Sequence, residues 1–140
     1  MITIENKFID AVYRAVKNSY RKADIESVPV AKPSAFPHVT IWEEENTSPA
    51  QYQEVPKNQR YAQVQYLVNI YTNDARKERT AKAIAQIVDA TLSGLGLIRT
   101  FCSPVPNVDT TIYRITMRFR GVVEVGITEG DTTTYIVHHQ

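Results

Sequence analysis

Apolar residues fall at Ile4, Phe8, Val12, Ala15 and Val16, flanked by Ile9 and Ala11 and set among Glu5, Lys7, Asp10, Arg14 and Lys17. Spacings of three and four positions predict an amphipathic helix over 4–20 with one stripe turned to a core. It has to end before Pro29, Pro33 and Pro37, whose missing backbone N–H groups predict an extended connector over 28–37. The period then changes to two. In 38–43, Val39 and Ile41 share one face and Thr40 and Trp42 the other, which predicts a short strand. The polar stretch 44–59, with Pro49 and Pro56, reads as a long flexible loop, and loops of that kind often carry function.

The sharpest alternation runs over 61–71, where Ala62, Val64, Tyr66, Val68 and Ile70 point one way and Gln63, Gln65 and Asn69 the other. One face of this strand has to be dry. Asn73 or Asp74 can cap a second helix over 74–95, with Ala81, Ile84, Ala85, Val88, Leu92 and Leu95 turned inward and Gly94 and Gly96 at its end. Strands over 97–101 and 111–124 follow, the second turning Tyr113, Ile115, Met117 and Phe119 to the core. The segment 131–140 reads as a flexible tail, in which 132–137 can add an edge strand after the Gly130-Asp131 turn. Two long helices among strands that do not alternate strictly with them define one α+β domain over 1–140. Its expected architecture is a mixed, largely antiparallel sheet of four to five strands packed against two long helices on one face.

Composition narrows the function more than it defines it. A chain of 140 residues with 43% hydrophobic and 22% charged residues can build a core without disulfides or metal. Its formal net charge of +1 provides no overall field toward nucleic acid or an anionic membrane. The start of the chain lacks the continuous apolar region of a signal peptide, and no run approaches the roughly 18 apolar residues that span a bilayer. A soluble protein without membrane partners is expected. Cys102 is the single cysteine, which excludes an intrachain disulfide and reads as a buried or inert thiol in a reducing compartment.

Searches for chemistry return little. The chain has no Gly-rich phosphate loop, no Gly-x-Ser-x-Gly elbow and no His-Glu-x-x-His pair, so neither catalytic residues nor a cofactor is expected. Its histidines are His38, His138 and His139; the last two are adjacent, which on a strand sends them to opposite faces, and no metal site is expected. Glu43, Glu44 and Glu45 read as a solvated rim at a strand end. A more interesting pattern is the polar face of the sheet. Arg114, Arg118 and Arg120 share it with Thr116, opposite Tyr113, Ile115 and Phe119, and Tyr61, Leu67 and Tyr71 belong to the same face. Such a stripe can be an ordinary solvated face or can meet phosphates or an acidic partner. Tyrosine and arginine are enriched where proteins meet, so these six residues form a candidate interface, with a second copy of the chain as the simplest partner.

The order of elements resembles the tail terminator (tail completion) proteins of long-tailed bacteriophages and prophages. The resemblance is carried by the helix over 4–20, the Pro-rich approach to Phe36-Pro37-His38-Val39-Thr40-Ile41, the strand over 61–71, the helix over 74–95, and the strand over 113–124 with its Arg118-Phe119-Arg120-Gly121-Val122-Val123-Glu124 ending. It implies a non-enzymatic virion protein, made in the host bacterial cytoplasm and resident in the tail or neck. It also implies a homo-oligomeric ring of about six subunits on the last ring of tail tube protein, facing the head-tail connector, with no sequence-specific binding of nucleic acid. Two other readings stay open: a head-completion or neck adaptor, and a small ligand- or nucleic-acid-binding module.

Overall fold

The computed structural model describes residues 5–30, 32–47, 61–129 and 132–138. Its elements are α1 (Glu5–Ser19), β1 (Asp24–Glu26), β2 (His38–Thr47), β3 (Tyr61–Thr72), α2 (Lys77–Gly94), β4 (Ile98–Pro104), β5 (Tyr113–Glu129) and β6 (Thr132–His138). The sheet runs β1-β2-β3-β5-β4, with β6 paired to β5. Only the β1–β2 pair is parallel among the described strands. The α+β fold with a mixed, largely antiparallel sheet and two helices is therefore the one expected.

Strand β5 organises the sheet. One of its edges pairs with β3 over Tyr113 to Glu124, and the other carries β4 over Ile115 to Arg120 and then β6 over Val122 to Glu129. The segment 132–138, expected as tail or edge strand, is thus a strand hydrogen-bonded to β5. The expected loop over 44–59 is shortened at its start, because Glu45, Asn46 and Thr47 continue β2 against Gln65, Val64 and Gln63. Polar β2 residues find backbone partners in β3 there, so pairing overrides weak strand propensity. Residues 48–60 and 139–140 lie outside the described residues.

Both helices pack on one face. Phe8, Val12 and Val16 of α1 and Ala81, Ile84, Ala85, Val88 and Leu92 of α2 form one buried cluster with Val39, Ile41, Val64, Tyr66, Val68, Ile70, Ile115, Met117 and Phe119. Phe8 meets Tyr66 edge-on, with ring centroids 5.1 Å apart. Alanines at positions 81 and 85 let α2 lie close to the strands, and each fully buried large aliphatic side chain contributes about 1.5–3 kcal/mol. Lys17 donates to the Arg21 carbonyl at 3.2 Å, placing a cation at the C-terminal end of α1.

The ends of α2 differ from one another. Neither Asn73 nor Asp74 caps it: a turn over 74–76 separates them from the helix, Asp74 accepts the Thr80 hydroxyl at 3.0 Å, and the helix starts at Lys77 with no side-chain cap. Its C-terminus closes as a Schellman motif. Leu97 N–H reaches the Leu92 carbonyl at 3.1 Å and Gly96 N–H the Ser93 carbonyl at 3.0 Å, with Gly96 at φ 99°, where a side chain would be strained.

Candidate interface on the open sheet face

Side chains alternate across the sheet, so the residues opposite the helix-covered face are set by register. Trp42, Leu67, Arg118 and Phe101 form one cross-strand row, and Thr40, Asn69, Thr116 and Ser103 the next. His38, Tyr71 and Arg114 make a third row, and Glu45, Gln65, Arg120 and Ile98 a fourth. Tyr61 stands opposite Glu124 and donates to it at 3.1 Å. No described helix packs here. All six residues singled out in the sequence, Tyr61, Leu67, Tyr71, Arg114, Arg118 and Arg120, lie on this face.

Two of the three arginines, Arg114 and Arg118, are held in place. Asn69 Oδ1 accepts from Arg114 Nε at 3.0 Å and from the buried Thr116 hydroxyl at 2.6 Å. The guanidinium of Arg114 lies 5.5 Å from the Tyr71 ring centre, and that of Arg118 lies 5.6 Å from the Phe101 ring. Arg118 Nε also donates to Glu44 at 3.3 Å, and the same carboxylate accepts Gln65 Nε2 at 2.8 Å. Arginine near a ring and bound through Nε loses rotamer freedom before any partner arrives. Arg120 is different: its Nε is buried with no hydrogen-bond partner among the described residues.

The six residues do not share one level. Leu67 and Tyr71 are 8% and 5% exposed, so they form the floor beneath the arginine side chains rather than its surface. Phe101, 38% exposed, and half-buried Trp42 supply accessible apolar area that the sequence pattern did not assign to the interface. Phe101 arrives there through a register shift between Arg99 and Phe101, which breaks the two-residue period of β4. A second shift, between Glu43 and Glu45, corrects the reading of the three glutamates as a solvated rim. Glu43 is turned to the helix side, where it accepts the buried Tyr66 hydroxyl at 2.6 Å, and Glu44 goes to Arg118.

Cys102 is exposed rather than buried, because β4 is the outer strand of the sheet path and its middle residues face solvent. Beside the start of α2 an open depression is lined by Arg76, Lys77, Arg79 and Lys82 with Glu78. Lys82 donates to Glu78 at 2.8 Å, which holds that carboxyl below its ordinary range and raises the lysine. A smaller hollow of about 60 Å³ between Phe36, Pro37 and Asp74 is too small for a metabolite. No described helix is long and apolar enough to cross a membrane.

No protein-family model matches the sequence, and no curated protein matches it. Among solved structures, the fold is similar to a chain from the virion of a native gene transfer agent particle. The TM-score is 0.59 at 20% sequence identity, over 82% of this chain and 92% of that one. The structural likeness shows a shared fold, and the identity carries nothing beyond it.

Proposed function

We propose that this chain is a non-enzymatic structural protein of a phage-type virion. Within that class it acts as a tail terminator: a ring of identical subunits that closes the end of the tail tube, stops its growth and offers a joining surface to the head. The observation that carries the reading is the fold likeness, which spans 92% of a chain taken from a virion particle. The order of elements in the sequence points the same way.

The open sheet face supports assembly in physical terms. A ring needs complementary patches on each subunit. A face on which Phe101 and Trp42 sit beside arginines already fixed by Glu44, Asn69 and Tyr71 gives apolar area together with a defined charge pattern. Apolar area supplies affinity, while fixed charges set register and suppress wrong pairings. Nucleic acid binding has less support, since Arg118 is paired with Glu44 and the whole chain carries only +1.

The test is native mass over a wide concentration range, with and without magnesium, then negative-stain imaging of the largest species and mixing with isolated tail tubes. A closed ring with a central hole, or capping of tube ends, is the expected result. Arg118→Glu, which places a second carboxylate beside Glu44, should remove both while leaving the fold intact by circular dichroism. A chain that stays monomeric and ignores tubes ends the terminator reading. Binding to connector rings alone would reassign the protein to the neck.

A further inference from the structure

We propose that Asp24, Glu26 and His38 form a binding site for one divalent transition-metal ion, with zinc as the representative, that fastens β1 to β2. The site was not legible as a motif because its ligands come from two strands, with Asp24 and His38 14 positions apart in the sequence.

The parallel register puts Asp24 beside His38 and Glu26 beside Thr40, so both carboxylates, the imidazole and the Thr40 hydroxyl share one face. One ligand atom from each of Asp24, Glu26 and His38 lies within 4.8 Å of the others. His38 Nδ1 is 3.2 Å from Asp24 Oδ2, close to the edge of about 3.3 Å that tetrahedral coordination with bonds of about 2.0–2.1 Å requires. Glu26 has to draw in. Its side chain is only half-buried, and no hydrogen bond or ion pair restrains it among the described residues.

The charge of the cluster points to a cation, since the one contact of Asp24 is the His38 Nδ1 it already faces at 3.2 Å. Two carboxylates stand on the same side of a three-residue strand, and no lysine or arginine among the described residues bridges to either. Next to them, His38 is 1% exposed and its Nε2 has no hydrogen-bond partner, while Thr40, 0% exposed, leaves its hydroxyl unpartnered as well. Buried polar atoms in that state are uncommon, because each costs about 1–3 kcal/mol. Metal on Nδ1 fixes the imidazole proton on Nε2, and a metal-bound histidine ordinarily donates that N–H to an oxygen. The Thr40 hydroxyl, two residues along the same face and equally unpartnered, is a candidate for that oxygen.

The donor set selects the ion. Two carboxylates balance a dication, and an imidazole ligand favours zinc and its late-transition-metal neighbours over magnesium, calcium and manganese. Three protein ligands leave a fourth position for water.

Zinc, cobalt and magnesium are titrated separately into the full chain by calorimetry, with the visible absorption of cobalt as a second readout. One zinc per chain, an intense tetrahedral cobalt spectrum and no comparable response to magnesium are expected. Asp24→Asn and Glu26→Gln, both on half-exposed side chains, should each weaken zinc by more than the about 10–100-fold that loss of an outer-shell partner costs, whereas a His138→Ala/His139→Ala double variant should bind as the parent does. Absence of binding, equal binding of magnesium, loss of zinc in the double variant, or retention in both carboxylate variants would each overturn the site.

Discussion

The two faces of this sheet are built from the same strands and follow opposite rules. On the helix side, β3 presents Val64, Tyr66, Val68 and Ile70, and all four are fully buried in the cluster they form with α1 and α2. On the open side, the intervening residues of the same strand are Gln65, Leu67, Asn69 and Tyr71, crossed by Arg114, Thr116 and Arg118 from β5. The first face is held by area, which is indifferent to detail as long as volume is conserved. The second is held by a few directed contacts: Asn69 joins Arg114 to Thr116, and Glu44 joins Gln65 to Arg118.

The contrast is sharpened most by cutting the core. Phe8→Ala removes a fully buried ring that packs on Tyr66, and should cost about 3–5 kcal/mol by urea denaturation. A loss below about 1 kcal/mol would mean that α1 is not clamped to the sheet.

The core was readable because both its periods are intrinsic to the chain: 3.6 for Phe8, Val12 and Val16, and two for Val64 to Ile70. The open face was readable only in part. Tyr61, Leu67, Tyr71 and the three arginines follow the undisturbed period of β3 and β5. Phe101 and Glu44 do not, because each sits at a register shift, and one extra residue in a strand sends every later side chain to the other face. Strand β1 escaped for another reason. Asp24, Ile25 and Glu26 have no pattern long enough to detect, and they are a strand only because β2 offers them a parallel edge. With β1 unseen, Asp24 and Glu26 could not be set beside His38, and the histidine had no visible partners.

The next test asks whether the open face is organised or merely wet. Asn69→Ala strips the acceptor from the buried Thr116 hydroxyl and from Arg114 Nε. If the layer is integral, stability falls by about 1–3 kcal/mol, and assembly weakens because Arg114 is no longer held over Tyr71. A surface residue of no consequence would change stability by less than about 0.5 kcal/mol. Arg118→Glu probes the same face from above. It should leave the unfolding midpoint almost unchanged and act on assembly, so the two variants separate the floor of the face from its contact layer.

The smallest expected effect lies in the turn that feeds β5, the strand both faces share. Asp109 accepts the Thr111 hydroxyl at 2.6 Å and the Thr111 N–H at 2.9 Å, and these bonds hold its carboxyl below the ordinary range, with Lys32 and Lys77 adding in the same direction. A carboxyl whose pKa is lower in the folded state contributes stability above its unfolded pKa and loses it as pH falls through the folded one. Asp109→Asn keeps a side-chain oxygen for the turn but has no charge to protonate. The parent should therefore melt slightly higher than the variant near neutral pH, and the gap should close in acid. Because Asp109 is fully exposed, a gap as large as that of Asn69→Ala, or one independent of pH, would show that the turn sets the register of β5 and that the two faces are not independent.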